Sequence, residues 1–473
     1  MHFTVKTSLC ALSIAVLSAC GGSSSSESTP SKAEVQQKCT KQNLHSFWYD
    51  TLEFEYLWLD ELANPTLNFS EYIETNHLLY DVLPARDRFS FALPTDQWNA
   101  TISGESFGFG AEFGPVGNEL IVYQVYKNSP AETAGLKRGD KIIKIADVDA
   151  PTIIAWLNTY NSEAIADLFG PDTKGYKVKF HWQTPTNSTK VVAIPKDEID
   201  INTVAHYSVQ NTNAGKVAYL AFPTGFYLNS AKEIDEAFAY FKAEQPDQFI
   251  LDLRDNGGGL LSVAARLSLY LAGDKLGKNT FLQITHNYRL ASFDSVYSAD
   301  TMIDPENGAS YNTILQNSLN LDKLIVLTNG YTASASESVI NGLTPYLDIY
   351  QIGQRTYGKP VGFYANDGSY DKRGEKAGFE VCNETLLALN FQTENANGFA
   401  NYMNGLPVNC AVTNDYPTGD WSTLSDPAQI TALNYAQNNS CISSAAKGIK
   451  TKNTLQQGIK YQEVSLPGMI LDK

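Results

Sequence analysis

Hydrophobic and polar positions follow three rhythms along this chain. From residue 39 to about 94 the apolar residues fall at helical spacing, with Phe47, Trp48, Leu52, Tyr56, Leu57 and Leu62 sharing one face. Residues 69–79 read as a second helix. Between about 100 and 196 the period shortens to two. Strands are predicted over 120–126, 141–145, 176–182 and 190–194, with one longer helix over 153–168. Beyond residue 199, apolar runs at 215–220, 249–253, 324–327 and 349–352 alternate with helices at 230–243, 261–271 and from 338 onward. Residues 274–323 read as a polar, turn-rich excursion. Strand-like alternation returns over 378–391, and a short helix is expected at 430–436. The chain therefore divides into a leader (1–19), a flexible linker (20–38), a helical segment (39–95), a small sheet-rich domain (96–198) and an α/β core with a C-terminal extension (199–473). The fold class is α/β, in an α+β multidomain arrangement.

Composition narrows the function. The 473 residues suffice for two or three domains, and 43% hydrophobic content supports real cores. A formal charge of -16 argues against nucleic acid as a partner. The six histidines are scattered without metal-ligand spacing, so no metal site is expected. The N-terminus has a basic Lys6 and a short apolar core over 9–17, too short to span a bilayer. An ordinary secretory signal shares these features. Leu17-Ser18-Ala19-Cys20 further resembles a bacterial lipobox, after which Cys20 would carry the lipid and the Gly/Ser run at 21–26 would serve as its tether. Gly21 at the next position favours the outer membrane, facing the periplasm, over the inner one. Cys39, Cys382, Cys410 and Cys441 remain, an even count that suggests two disulfides in an exported chain, with three pairings possible.

Two stretches carry candidate chemistry. In the first, a buried strand at 324–327 runs through an Asn329-Gly330 turn into Thr332-Ala333-Ser334-Ala335-Ser336-Glu337 and then a helix. Lys359 lies on a Gly-Lys-Pro turn one strand later. A serine at a helix N-terminus has backbone N–H groups beside it that can hold an oxyanion. It becomes a nucleophile when a base takes its proton, and a desolvated lysine can be that base. Capping of the helix by the same hydroxyls is the alternative. In the second stretch, Asp252-Leu253-Arg254-Asp255-Asn256-Gly257-Gly258-Gly259 joins a strand to a helix, where N–H groups point outward. It lacks the spacing of a phosphate-binding loop.

These two stretches resemble the active-site region of the C-terminal processing, or tail-specific, serine proteases. The resemblance implies Ser334 as nucleophile and Lys359 as base, with Thr332 and Ser336 flanking. It implies an oxyanion hole from the N–H groups of Gly258 and Ala335, with Gly257 and Gly259 as neighbouring candidates for the first. Asp252, Arg254 and Asn256 read as scaffolding of the loop. The family often has a glutamine four residues after the lysine, which orients it; here that place is Phe363. A third run, Ser129-Pro130-Ala131-Glu132-Thr133-Ala134-Gly135-Leu136-Lys137-Arg138-Gly139-Asp140, resembles a PDZ domain. That domain adds an extended peptide to a sheet edge, and the resemblance places the carboxylate-holding loop at Phe107, Gly108 and Phe109. The implied function is a serine endopeptidase that needs no metal or organic cofactor and takes protein substrates through their C-terminal tails. A tail-binding scaffold without chemistry, or a Ser-Lys amidase or esterase, would share parts of this pattern.

Overall fold

The computed structural model describes residues 31–213 and 215–442 and, as backbone, the strand Gly468–Ile470. The expected leader, Cys20 and most of the 20–38 linker lie outside these residues. The end of that linker is helical: Ser31 caps Lys32–Lys38 and exchanges hydrogen bonds with Glu34, a local pattern strong enough to start a helix.

The largest element is a six-stranded sheet. Its order is His206–Thr212, Gly215–Ala221, Gln248–Asp252, Lys323–Thr328, Asp348–Gly353 and Cys410–Ala411. The first pair is antiparallel and all later pairs are parallel. Both faces are covered, as a parallel sheet requires. Along one strand Ala218 and Leu220 face a core built with Ile234, Phe238, Leu267 and Val339. Their neighbours Val217, Tyr219 and Ala221 face Ala428, Ala432 and Tyr435 instead. Helices Ser230–Glu244, Leu261–Ala272 and Ala335–Leu343 thus lie on one side and Pro427–Asn438 on the other.

Residues 274–323 are more ordered than their polarity suggested. Thr280–His286 and Ser295–Ser298 form two strands, followed by helices Ala299–Met302 and Tyr311–Asn317. The strands join Phe391–Glu394 and Val361–Gly362 in an antiparallel four-stranded sheet. Phe281, Leu282 and Ile284 are buried there, so three apolar residues outweigh the polar composition around them. The alternation expected over 378–391 resolves into a short 3-10 turn at Glu380–Cys382 and the strand Thr385–Leu387.

The N-terminal helices pack onto the α/β core. Lys41–Glu55 and Thr75–Val82 bury Trp48, Leu52, Leu78 and Val82 in the same cluster as the core helices. The second helix starts at Thr75, later than expected, because Asn68, Ser70 and Glu71 hydrogen-bond one another as a turn. Glu384 accepts from Trp48 Nε1 and Thr75 Oγ1, each at 2.6 Å. The Cys39–Cys382 disulfide fastens the same contact, and Cys410–Cys441 ties the last core strand to the end of the following helix.

The sheet-rich domain runs Ala111–Val116, Glu119–Val125, Lys141–Ile145, Lys177–Gln183 and Thr189–Pro195, antiparallel throughout. The single helix expected over 153–168 is two, Ala150–Asn158 and Ser162–Phe169. Tyr160 takes a left-handed φ of 53°, and Asn161 caps the second helix through the Ala164 N–H. This domain is latched to the core by Arg138, which donates to Gly419 C=O at 2.8 Å and to Asp426 at 2.6 Å. Arg254 joins the same buried cluster through Asp252, Asp415 and Asp426. Burial raises the Asp426 carboxyl, but Arg138 and Arg254 together bring it below its ordinary value. Substitution Arg138→Met would strip Asp426 of one buried partner, and should lower stability by about 3–5 kcal/mol while leaving the isolated secondary structure unchanged. Chemical unfolding followed by circular dichroism checks this.

Candidate active site

The strand Lys323–Thr328 ends at Asn329, and the chain turns sharply into the helix Ala335–Leu343. Ser334 is the residue at the turn. Its φ of 61° with ψ of -115° lies outside the regions open to most L-residues, a strain worth about 1–3 kcal/mol. Strain of this kind at a strand-to-helix junction holds a nucleophile out toward the cleft. The three hydroxyls of the serine-rich run have different fates. Thr332 Oγ1 donates to Leu253 C=O at 2.8 Å, and Ser336 Oγ donates to Asn256 Oδ1 at 2.9 Å. Ser334 Oγ is buried and has no hydrogen-bond partner among the described residues. Thr332 and Ser336 are thus spent on the Leu253–Asn256 segment, and the Ser334 hydroxyl is left unpaired in the buried site.

Glu337 binds the site together. It is fully buried three residues into the helix, at the position of a capping box. One carboxylate oxygen accepts the backbone N–H of Ser334 and that of Lys359, both at 2.8 Å. The other accepts Thr356 Oγ1 at 2.5 Å and the Gly358 N–H at 2.9 Å. The nucleophile and the lysine turn thus hang on one side chain, and their backbones lie within two hydrogen-bond lengths of each other. Burial raises the Glu337 carboxyl, while these donors oppose the rise.

Lys359 is also fully buried. Its Nζ sits 4.5 Å from the centre of the Phe363 ring and 5.4 Å from that of Phe89. Desolvation lowers its ammonium to about 7, against smaller upward pulls from Asp87 and Glu337. Phe363, at the place where the family often has glutamine, is an apolar wall that contributes to this desolvation. Phe89 arrives from the N-terminal segment. Asp87 fixes it by accepting the N–H groups of Phe89 and Ser90 and the hydroxyls of Tyr56 and Ser90.

The glycine loop closes the other wall. Asn256 holds it: Nδ2 donates to Phe222 C=O, and Oδ1 accepts both Ser336 Oγ and the Gly258 N–H, the latter at 3.0 Å. Arg254 is spent on the buried acidic cluster. These residues are scaffold, as the sequence suggested. The Gly258 N–H, expected in the oxyanion hole, is engaged by Asn256. On one edge of Gly258–Leu260, Phe226 N–H donates to Gly258 C=O and Leu260 N–H donates to Phe226 C=O, each at 2.8 Å. Successive residues of a strand face opposite edges, so the N–H of Gly259 faces the edge opposite Phe226. Ala335 is the first residue of its helix, where its N–H has no preceding helical carbonyl to bind.

Phe107 and Gly108 belong to the strand Glu105–Gly108, which pairs antiparallel with Asp197–Asp200. Phe109 is buried, its ring 5.1 Å from Phe180 and 5.7 Å from Phe169. Its side chain is core, so a ligand at this loop would meet backbone. The sequence reading gave no role to Glu337, Asp87 or Phe89. Glu337 had a visible signal, the serine-to-glutamate capping spacing. Asp87 and Phe89 had none, since only the fold brings them to Lys359.

Comparison with known proteins agrees with this geometry. The family model of peptidase family S41 matches residues 216–364, and that of the PDZ domain matches residues 121–156. The carboxy-terminal processing protease CtpA of Bacillus subtilis (strain 168) is 29% identical over 262 residues, 55% of this chain and 49% of that protein. A carboxyl-terminal-processing protease of Picosynechococcus is 29% identical over 280 residues, 58% of this chain and 60% of that one. The chain thus spans about half the length of the curated relatives it matches. An S41 protease candidate from Bacteroides fragilis NCTC 9343 shares the fold, with a TM-score of 0.57, 19% identity, and coverage of 83% of this chain and 94% of that one. With an S41 peptidase match behind a PDZ match, the chain is similar to the C-terminal processing proteases over these two regions.

Proposed function

We propose that this chain is a serine endopeptidase working through a Ser334–Lys359 dyad. The observation that carries the reading is the pairing of a strained serine, its hydroxyl unengaged, with a lysine buried deeply enough to lose its proton near neutral pH. Neutral Lys359 takes the Ser334 proton. Oγ attacks a peptide carbonyl, and the oxyanion is held by the N–H of Ala335 and a glycine N–H of 258–259, with the orientation of Gly259 favouring that residue. The lysine then protonates the leaving amine, and water releases the acyl-enzyme. The PDZ domain supports protein substrates. Its strand Ala111–Val116 ends the sheet, where such a domain adds the tail of a peptide. Two disulfides support an oxidising, exported location, as does the lipid attachment read at Cys20.

Proteolysis of an unfolded protein is the test. Ser334→Ala and Lys359→Ala should each lower kcat/KM by at least about 1000-fold with folding intact. Full activity in Ser334→Ala would overturn the reading.

The lysine also sets a pH dependence. The base is the neutral form, so kcat/KM should fall about tenfold per pH unit below a midpoint near 7 and level off above it. In Phe363→Gln an amide replaces the apolar wall and favours the ammonium, so the midpoint should move upward. The pH–rate profiles of the two proteins decide this.

The same buried lysine costs the fold stability at neutral pH. The folded lysine titrates below its unfolded value of 10.5. Between pH 7 and 10.5 the unfolded chain holds more protons, so stability rises with pH through that window. Lys359→Met should therefore be inactive yet more stable than the parent at pH 7, by up to a few kcal/mol, with the gap closing toward pH 10. Thermal melts across that range measure it.

A further inference from the structure

The strand Gly258–Leu260 has two edges, and both are used. Phe226 takes one. On the other, the chain's own strand Gly468–Ile470 pairs in parallel, with Gly258 opposite Gly468, Gly259 opposite Met469 and Leu260 opposite Ile470. The same three residues run beside the nucleophile helix Ala335–Leu343 and beside Val361–Gly362, the strand that follows Lys359. All three walls of the cleft therefore meet this one segment. In a parallel pair the residue facing its partner donates backward and accepts forward. The register accordingly gives the Gly259 N–H to Gly468 C=O and the Ile470 N–H to Gly259 C=O. A carbonyl of the chain's own backbone thus sits on the N–H that the cleft offers to a substrate carbonyl.

We infer that the edge of Gly258–Leu260 opposite Phe226 is where an extended substrate strand binds, and that residues 468–470 of this same chain are its resident occupant, competing with substrate. The inference rests on the reading of the cleft as a peptidase site. A backbone edge accepts a strand largely through main-chain hydrogen bonds, so the chain's own segment and a foreign polypeptide use the same contacts. The segment carries little bulk at its first residue, glycine, and two apolar residues after it. Tethering gives such a segment an effective concentration of about 1 mM. With an intrinsic Kd of ~0.1 mM it would weaken an added strand about tenfold.

The test uses the full chain in a Ser334→Ala background, where no cleavage can intervene. Ile470→Pro removes the one N–H that the register assigns to Gly259, while Ile470→Ala keeps it. A fluorescein-labelled peptide of residues 463–473 is titrated into each protein. It should bind the proline variant at least tenfold more tightly than the Ser334→Ala chain or its alanine counterpart. Hydrogen exchange at the Gly259 amide should be slow in the Ser334→Ala chain and faster in the proline variant. Equal affinities, no binding to any of them, or unchanged exchange at Gly259 would overturn the inference. Neither readout requires turnover. Their failure would leave the dyad reading standing, and absence of peptidase activity would leave these results interpretable.

Discussion

The Glu337 carboxylate is the interaction on which the site depends. A buried carboxylate is costly unless every lone pair is met. Here the donors come from both halves of the proposed dyad: Ser334 N–H from the serine turn, and Thr356, Gly358 and Lys359 from the lysine turn. Satisfying one side chain thus fixes the distance between two segments separated by a helix and a strand. It also helps hold Ser334 in a backbone conformation that it would otherwise leave. The strain at Ser334 and the burial of Glu337 are each unfavourable alone. They persist because the same hydrogen bonds answer both.

Lys359 extends the logic from geometry to charge. Its fall to a pKa of about 7 comes from water exclusion, and the excluding groups have separate origins. Phe363 lies just past the strand Val361–Gly362, and Phe89 on the N-terminal segment. Arg88 stacks over Tyr357 at 4.4 Å and donates to the Tyr357 carbonyl at 3.1 Å, which binds that segment to the lysine turn. The N-terminal segment therefore helps set the environment of Lys359. The Cys39–Cys382 disulfide and the Glu384 hydrogen bonds keep them in place. At the opposite end the Arg138 latch ties the PDZ domain to the acidic cluster that also holds Arg254, two residues before Asn256.

Much of this was legible in the sequence, where the signal was local. The strand Lys141–Ile145 and the helix start at Leu261 follow directly from periodicity and turn residues. Ser334, Lys359 and the glycine loop were found because each lies in a short, dense motif. The misses share a cause. The helix over 153–168 breaks at Tyr160, where local capping by Asn161 overrides a continuous apolar pattern. The strands within 274–323 gain their stability from a partner at 391–394, itself paired to 361–362, which no local window contains. Phe89 and Asp87 are assigned to Lys359 only by tertiary folding. Gly258 was separated from Gly259 only by the direction of their N–H groups, a property of the pairing with Phe226 rather than of the residue type.

Exclusion of water by the fold lets Lys359 lose its proton near neutral pH. The most direct measurement is a nuclear magnetic resonance titration of the lysine side chains, labelled at Cε and Nζ, in the Ser334→Ala protein. One lysine should titrate near pH 7, and its signal should be absent from the spectrum of the Lys359→Met counterpart. If the resonance assigned to Lys359 stayed in its ammonium form to pH 10, the lysine could not serve as the base at neutral pH. The account of this site would then be wrong.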